Sequence, residues 1–313
     1  MMEPITLSNG DLVARIDHAR GGSIMDLHWQ RRRGPAVPII ARGVPGEDPS
    51  SKPGCFVMAP WTNRVAGARF EFQGADHALR PTTPEGAASH GDVRARPWRV
   101  IDRSPESARL GFLSSEHAGV NFPFPFACQA RYEVEGLSLR VDLSLTNTGP
   151  VAMPAGLGLH PYFPRWVPGQ SRQVRLMAPV RGRYPAWRSI PRGPAARDAL
   201  SRRLSELRSP PGLGVDDVFD GFGGWAVLAY GTHTVRMDAP APLGHLVVYT
   251  PVRAGGQPEP FIAVEPVSMV NDGFNMLRRG TPGTGVRVLP PGGGMSATVV
   301  FSVTPADGTR SAG

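Results

Sequence analysis

Four short stretches of this 313-residue chain carry side chains able to move protons or grip hydroxyl groups. In Phe261-Ile262-Ala263-Val264-Glu265-Pro266-Val267 a single carboxylate interrupts an apolar run. Burial there would push the carboxyl pKa upward, toward the range where a general base works near neutral pH. The alternative is a Glu on the solvent face of a strand, since neighbours alternate sides. In Gly156-Leu157-Gly158-Leu159-His160-Pro161-Tyr162-Phe163 one imidazole sits among aliphatic and aromatic residues. Imidazole exchanges a proton near pH 7, although a hydrogen-bonded core histidine would read the same way. Asn63-Arg64 follows Trp61, so hydrogen-bonding groups stand beside a flat apolar ring, the combination a sugar needs; a turn whose Arg packs over Trp61 is the other possibility. His90 lies in the loop Ala88-Ser89-His90-Gly91-Asp92, where an exposed histidine ordinarily does nothing.

Strands must position these groups. Leu137, Leu139, Val141, Leu143 and Leu145 alternate with Ser138, Arg140, Asp142 and Ser144, the period of a half-buried antiparallel strand. Shorter runs of the same kind occur at 96–101, 110–114, 130–134, 234–237, 246–249, 261–267 and 297–303, with a further strand at 69–72. Residues 5–29 read as strands turned at Asn9-Gly10 and Gly21-Gly22. Only 196–208 has a helical spacing, through Leu200, Leu204 and Leu207, and the Pro-, Arg- and Ser-rich stretch 188–211 around it reads as a surface excursion. Strands following strands predict an all-β protein, a large antiparallel β-sandwich with few short helices, and the lack of a linker or repeat predicts one domain over 1–313.

Composition narrows the function. The chain holds 41% hydrophobic and 19% charged residues, enough apolar material for a substantial core. The formal charge of +8 comes almost wholly from scattered Arg, Lys52 being the one lysine, and no basic stripe points to nucleic acid. Cys55 and Cys128 form no metal-binding or disulfide pattern, and the opening residues lack the apolar stretch of a signal peptide. A cytoplasmic protein without membrane or nucleic-acid partners is expected. Serine-hydrolase, phosphate-loop, zincin and dinucleotide motifs do not occur.

In this order the stretches resemble the aldose 1-epimerase (galactose mutarotase) family. The match runs through Asn63-Arg64 with the following Arg69-Phe70, His90-Gly91, His160-Pro161-Tyr162-Phe163, Asp216-Asp217-Val218-Phe219, and Glu265-Pro266 with Asn271 to Asn275 downstream. The resemblance implies a galactose-mutarotase-type sandwich that uses neither metal nor organic cofactor and acts on a hexose as a monomer or homodimer. It implies Glu265 as general base on the anomeric hydroxyl and His160 as general acid on the ring oxygen. It further implies that Asn63, Arg64, His90 and Asp216 bind the sugar, Asp216 being preferred over Asp217 for its spacing to Phe219. Trp61, Phe163 or Tyr249 would supply an apolar wall. A sugar-phosphate 1-epimerase, drawing on the positive charge, and a non-catalytic carbohydrate-binding protein on the same fold are the other readings.

Overall fold

A computed structural model describes residues 3–43 and 53–306; Lys52 lies outside them. Two antiparallel sheets carry the architecture. The ten-stranded sheet runs, edge to edge, through Ile5–Ser8, Leu12–Asp17, Ser23–Trp29, Cys55–Met58, Gly158–Pro164, Phe261–Val267, His245–Tyr249, Asp216–Asp220 and Gly182–Arg183, with Val37–Ile40 beside Ser23–Trp29. The eight-stranded sheet runs through Arg99–Arg103, Ser107–Leu113, Phe126–Glu135, Ser138–Asn147, Gly294–Pro305, His233–Asp238, Trp225–Ala229 and Arg175–Met177. Each strand read from alternation is present, and the turns at Asn9-Gly10 and Gly21-Gly22 join the first three, all three glycines having positive φ.

Alternation decides what lies between the sheets. Leu139, Val141, Leu143 and Leu145 are buried in one cluster with Leu12, Ala14, Ile16, Leu159, Leu246, Ile262 and Val264 of the other sheet. The intervening Arg140 and Asp142 pair with each other on the outside. This is the sandwich core, formed because the inner positions of both sheets are apolar.

The central strands of the larger sheet are also buried on their second face. Phe56, Met58, Tyr162, Val218, Val247, Ala263 and Val267 form a separate cluster there, closed over by Tyr184, Val270 and Met276 from connecting segments. A strand covered on both sides reads as a continuous apolar run, which is why Phe261–Val267 and Gly158–Pro164 look as they do in the sequence.

The helices depart from expectation. The helix anticipated at 196–208 is only Ala199–Leu204, opened by Asp198, whose side chain accepts from Ser201 N in a capping box. Its flanks are taken by β-bridges, Ala196 to Arg183 and Arg208 to Leu176, so tertiary pairing overrides the leucine spacing. A second helix, Gly273–Arg278, was not anticipated; Asp272 stands at its N-cap without a side-chain capping bond, and six residues are too few to display a helical period. No helix among the described residues is long and apolar enough to cross a membrane.

Candidate active site

The second face of the larger sheet holds the site. Gly158 pairs with Val267 and Tyr162 with Ala263, so the register sets His160 directly across from Glu265. On its other side His160 pairs with Phe56, and Glu265 pairs with Val247, which pairs in turn with Val218. One cross-strand row therefore reads Phe56, His160, Glu265, Val247, Val218. The next row holds Tyr162, Ala263, Tyr249 and Asp216. Glu265 does point away from Val264, as alternation requires, but that face is roofed rather than open to solvent.

Within the row, His160 Nε2 lies 3.1 Å from Glu265 Oε1, with the two side chains 4% and 2% exposed. Phe56 stacks on the imidazole at 4.5 Å between centroids and Tyr162 leans on it at the same distance. Burial in this aromatic sleeve pushes the Glu265 carboxyl well above the usual carboxylate range; the Asp216 charge adds to the rise and Arg64 opposes it. Burial also lowers His160 to about 3, helped by the positive charges of Arg94 and Arg64. Each group is thus held toward its uncharged form. His160 Nδ1 and Glu265 Oε2 have no hydrogen-bond partner. Buried polar atoms are rarely left so, and here both are available to a bound molecule.

Loops bring the remaining groups in. His90 approaches His160 edge-on at 5.1 Å and sets Nδ1 3.3 Å from Met58 Sδ. Its φ is 62°, and Gly91 follows at 71°. A Cβ on Gly91 would sit 2.2 Å from Ala59 O, so only glycine lets this loop close against 59–60. Asn63 O accepts from His90 N at 2.8 Å, and Asn63 Oδ1 accepts from Arg64 Nη1 at 3.3 Å. Asn63 therefore ties the two loops together and steadies the guanidinium. Arg64 Nη1 meets Asp216 Oδ2 at 3.1 Å. Asp272 N donates to Arg64 O at 2.6 Å while its carboxylate accepts from Ala66 N at 3.0 Å, which clamps the chain around Arg64 from below.

All six residues singled out in the sequence, Asn63, Arg64, His90, His160, Asp216 and Glu265, converge here. Asp217 turns elsewhere and accepts from Arg183 Nη1 at 3.1 Å. Of the three aromatic residues expected to wall the site, only Tyr249 stands on this face. Trp61 and Phe163 are sandwich-core residues, packed on Phe122 and Phe301. Phe163 follows Tyr162 in the strand and so must face the opposite way. Three participants were not singled out. Phe56 lacks any local signal, being one Phe in an apolar run. Arg94, whose guanidinium lies over the Phe56 ring, is one arginine among many. Ser189 belongs to the stretch read as a surface excursion, yet its Oγ donates to Asp216 Oδ2 at 2.6 Å.

On the far side of Arg64 and Asp216 opens a cavity of about 800 Å³ whose lining includes these two residues, Ser189 and Asp272 but not His90, His160 or Glu265, so the pair meets it only through Arg64 and Asp216. His90, His160 and Glu265 each offer a ligand atom, all within 4.8 Å of one another, the one such group of three among the described residues.

The chain and its fold have counterparts among known proteins. Escherichia coli K12 YphB, an uncharacterized protein, is 28% identical over 275 residues, 85% of this chain and 88% of that protein. A candidate aldose 1-epimerase from the same organism superimposes with a TM-score of 0.83 at 24% identity, covering 98% of this chain and 100% of its own. A galactose mutarotase-like protein of Clostridium acetobutylicum does so at 0.84 with 17% identity, over 97% and 95%. At these identities the two structures establish the fold, the galactose-mutarotase-type sandwich. The family model for aldose 1-epimerase matches residues 4–302, nearly the whole chain, and the protein belongs to the aldose 1-epimerase family.

Proposed function

We propose that the protein is a hexose mutarotase in which Glu265 and His160 pass protons to and from the sugar. The observation that carries this reading is the buried 3.1 Å contact between Glu265 Oε1 and His160 Nε2, with Arg64 and Asp216 standing between the pair's surroundings and a cavity that they line. Interconverting anomers requires a proton removed from O1 and a proton delivered to the ring oxygen. A carboxylate and an imidazolium do both. As Glu265 takes the O1 proton, the O–H electrons form the aldehyde C=O, the C1–O5 bond breaks onto the ring oxygen, and His160 protonates it. Rotation about C1–C2 and reversal of both transfers give the other anomer. The pair stands as carboxylic acid and neutral imidazole at rest and in the open-chain state, and a proton passing from Glu265 to His160 across the 3.1 Å contact gives the carboxylate and imidazolium that act on the closed ring.

The two forms contain the same number of protons, so neither solvent nor a cofactor has to restore the site between turnovers. Burial favours the uncharged form, which lowers the energy of the open-chain state relative to the same pair in water. Arg64 and Asp216 hold ring hydroxyls in this reading, Asn63 fixes Arg64, and His90 backs the ring oxygen. We assign the activity to the cytoplasm, which two buried free thiols, Cys55 and Cys128, suit.

The sugar-phosphate reading draws support from Arg188, Arg192 and Arg279 on the cavity lining. Against it, Arg279 is engaged by Asp272 at 3.3 Å and Arg64 by Asp216. Polarimetry on freshly dissolved α-glucose, α-galactose and α-glucose 6-phosphate tests all the readings together. Accelerated rotation change with the neutral hexoses supports the mutarotase, preference for the phosphate supports the sugar-phosphate enzyme, and no acceleration leaves a binding protein.

A further inference from the structure

Residues 186–191, at the start of the supposed surface excursion, form a hairpin that reaches the site. Trp187 pairs with Ile190 across a two-residue turn of Arg188 and Ser189, whose φ values are 48° and 62°. Two consecutive positive values make a type I′ turn, normally given to Asn and Gly. Neither residue here is of that kind, so the backbone is strained, and such strain persists only where surrounding contacts overdetermine it. The contacts are present: Ser189 Oγ donates to Asp216 Oδ2, and Asn271 Nδ2 donates to Ser189 O at 2.8 Å. The hairpin tip is thereby bolted to the same aspartate that meets Arg64.

What this strained turn presents outward is Trp187, 62% exposed on the cavity lining, with the Arg188 guanidinium 5.8 Å from its ring centroid. An exposed indole at the mouth of a cavity rich in guanidinium and carboxylate groups sets a flat apolar face beside hydrogen-bonding groups. The cavity extends from Arg64 and Asp216 out to Trp187, Arg192 and Glu85, and about 800 Å³ is far more room than one pyranose ring fills.

We propose that the outer part of this cavity is a second sugar subsite, where a pyranose ring linked to the reacting hexose stacks on Trp187 and offers its hydroxyls to Arg188, Arg192 and Glu85. The favoured substrate is then the reducing end of a disaccharide or longer glycan joined through a position remote from C1. This rests on the mutarotase reading and specifies its substrate class. A pyranose has an apolar C–H face that matches an exposed indole and a rim of hydroxyls that needs both donors and acceptors. The lining supplies both, with the carboxylates of Glu85, Asp216 and Asp272 interspersed among the guanidiniums of Arg64, Arg188, Arg192 and Arg279. A phosphate would want the guanidiniums alone. Glu85 is held below the usual carboxylate range by hydrogen bonds from its own backbone and Thr83, so it accepts rather than donates at neutral pH.

The test is mutarotation kinetics of glucose, maltose, melibiose and glucose 6-phosphate with wild type, Trp187→Ala and Trp187→Phe. Maltose or melibiose should show the higher kcat/KM. Trp187→Ala should lower that value about three- to tenfold through KM, the range aromatic stacking is worth, with glucose changed less than twofold and Trp187→Phe recovering most of the loss. Equal effects of Trp187→Ala on glucose and disaccharide overturn the subsite, as does a preference for glucose 6-phosphate over both disaccharides. Should wild type turn over no sugar, the mutarotase reading fails by itself; calorimetric titration of maltose against glucose then decides the subsite, tighter maltose binding that Trp187→Ala removes supporting it and equal binding overturning it.

Discussion

His160 and Glu265 face each other across adjacent antiparallel strands, Nε2 to Oε1 at 3.1 Å, with no residue between them. Directly opposed positions in a ladder are fixed by backbone hydrogen bonds, not by flexible side-chain reach, so the pair is preorganised by the sheet itself.

Replacing Glu265 with Gln keeps the shape and removes the proposed base. Mutarotation should fall by about a hundred- to ten-thousand-fold, with the circular dichroism spectrum and thermal midpoint close to wild type. A folded Glu265→Gln protein turning over at wild-type rate would eliminate the proton-transfer assignment.

In the proposed mechanism the two residues act as one proton-sharing unit, so their removal should not add. His160→Gln alone should cost about as much as Glu265→Gln, and the double variant little more than either. Polarimetric rates of the three variants check this, and multiplicative losses would mean the groups work independently.

The neighbouring aspartates should separate cleanly. Asp216→Asn loses the partner of Arg64 and Ser189 and should raise KM by about tenfold or more, the worth of roughly one charge-assisted hydrogen bond. Asp217→Asn touches only the Arg183 network and should change KM less than twofold. The reverse ranking would show that the wrong aspartate has been assigned to the sugar.

Acid should destabilise the fold through histidines buried in neutral form. Burial lowers His233, remote from the site and packed between Trp29 and Tyr230, to about 4. Its ordinary value is near 6.5, so between those limits the unfolded chain binds a proton that the fold refuses. Stability therefore falls as pH drops from 6.5 toward 4, by about 2 kcal/mol at pH 5 from this residue. Urea titrations at pH 7 and pH 5 should show that loss, and His233→Gln should remove it without altering mutarotation at pH 7. An unchanged acid slope in His233→Gln would refute it. Glu265 works in the opposite sense, since a raised carboxyl pKa withdraws stability as pH climbs above 4.5.

Gly91→Ala should cost about 1–3 kcal/mol from the positive φ alone, and more from the collision with Ala59 O. Because the same loop carries His90, kcat should drop with stability. A thermal midpoint equal to wild type would show that the loop can open without penalty.

Much of this was legible beforehand because strands write their burial into alternate positions. Strands such as Ser138–Asn147, His233–Asp238 and Gly294–Pro305 emerge from period two, whereas Cys55–Met58, Gly158–Pro164 and Asp216–Asp220, covered on both faces or short, are not legible as strands; His90, His160 and Glu265 stand out as polar types in apolar or Gly-bounded company, while Asp216 is reached only through the family resemblance. What stayed hidden depends on partners distant in sequence. Whether Glu265 faced water or a roof could not be read from its strand, since the roof comes from Tyr184, Val270 and Met276. The ends of the 196–208 stretch pair with Arg183 and Leu176, and nothing local announces it. Trp61 was misplaced for the same reason: beside Asn63-Arg64 it looked like a sugar platform, yet it faces Phe122 in the interior.

The larger sheet carries hydrocarbon on one side and chemistry on the other, from the same strands. Slipping Phe261–Val267 by one residue would thrust a carboxylate between the sheets and leave Val264 facing His160. Misthreading is thus penalised twice, once in folding energy and once in turnover, so single-residue insertions here should be far more damaging than insertions of two, which restore the sidedness of everything downstream.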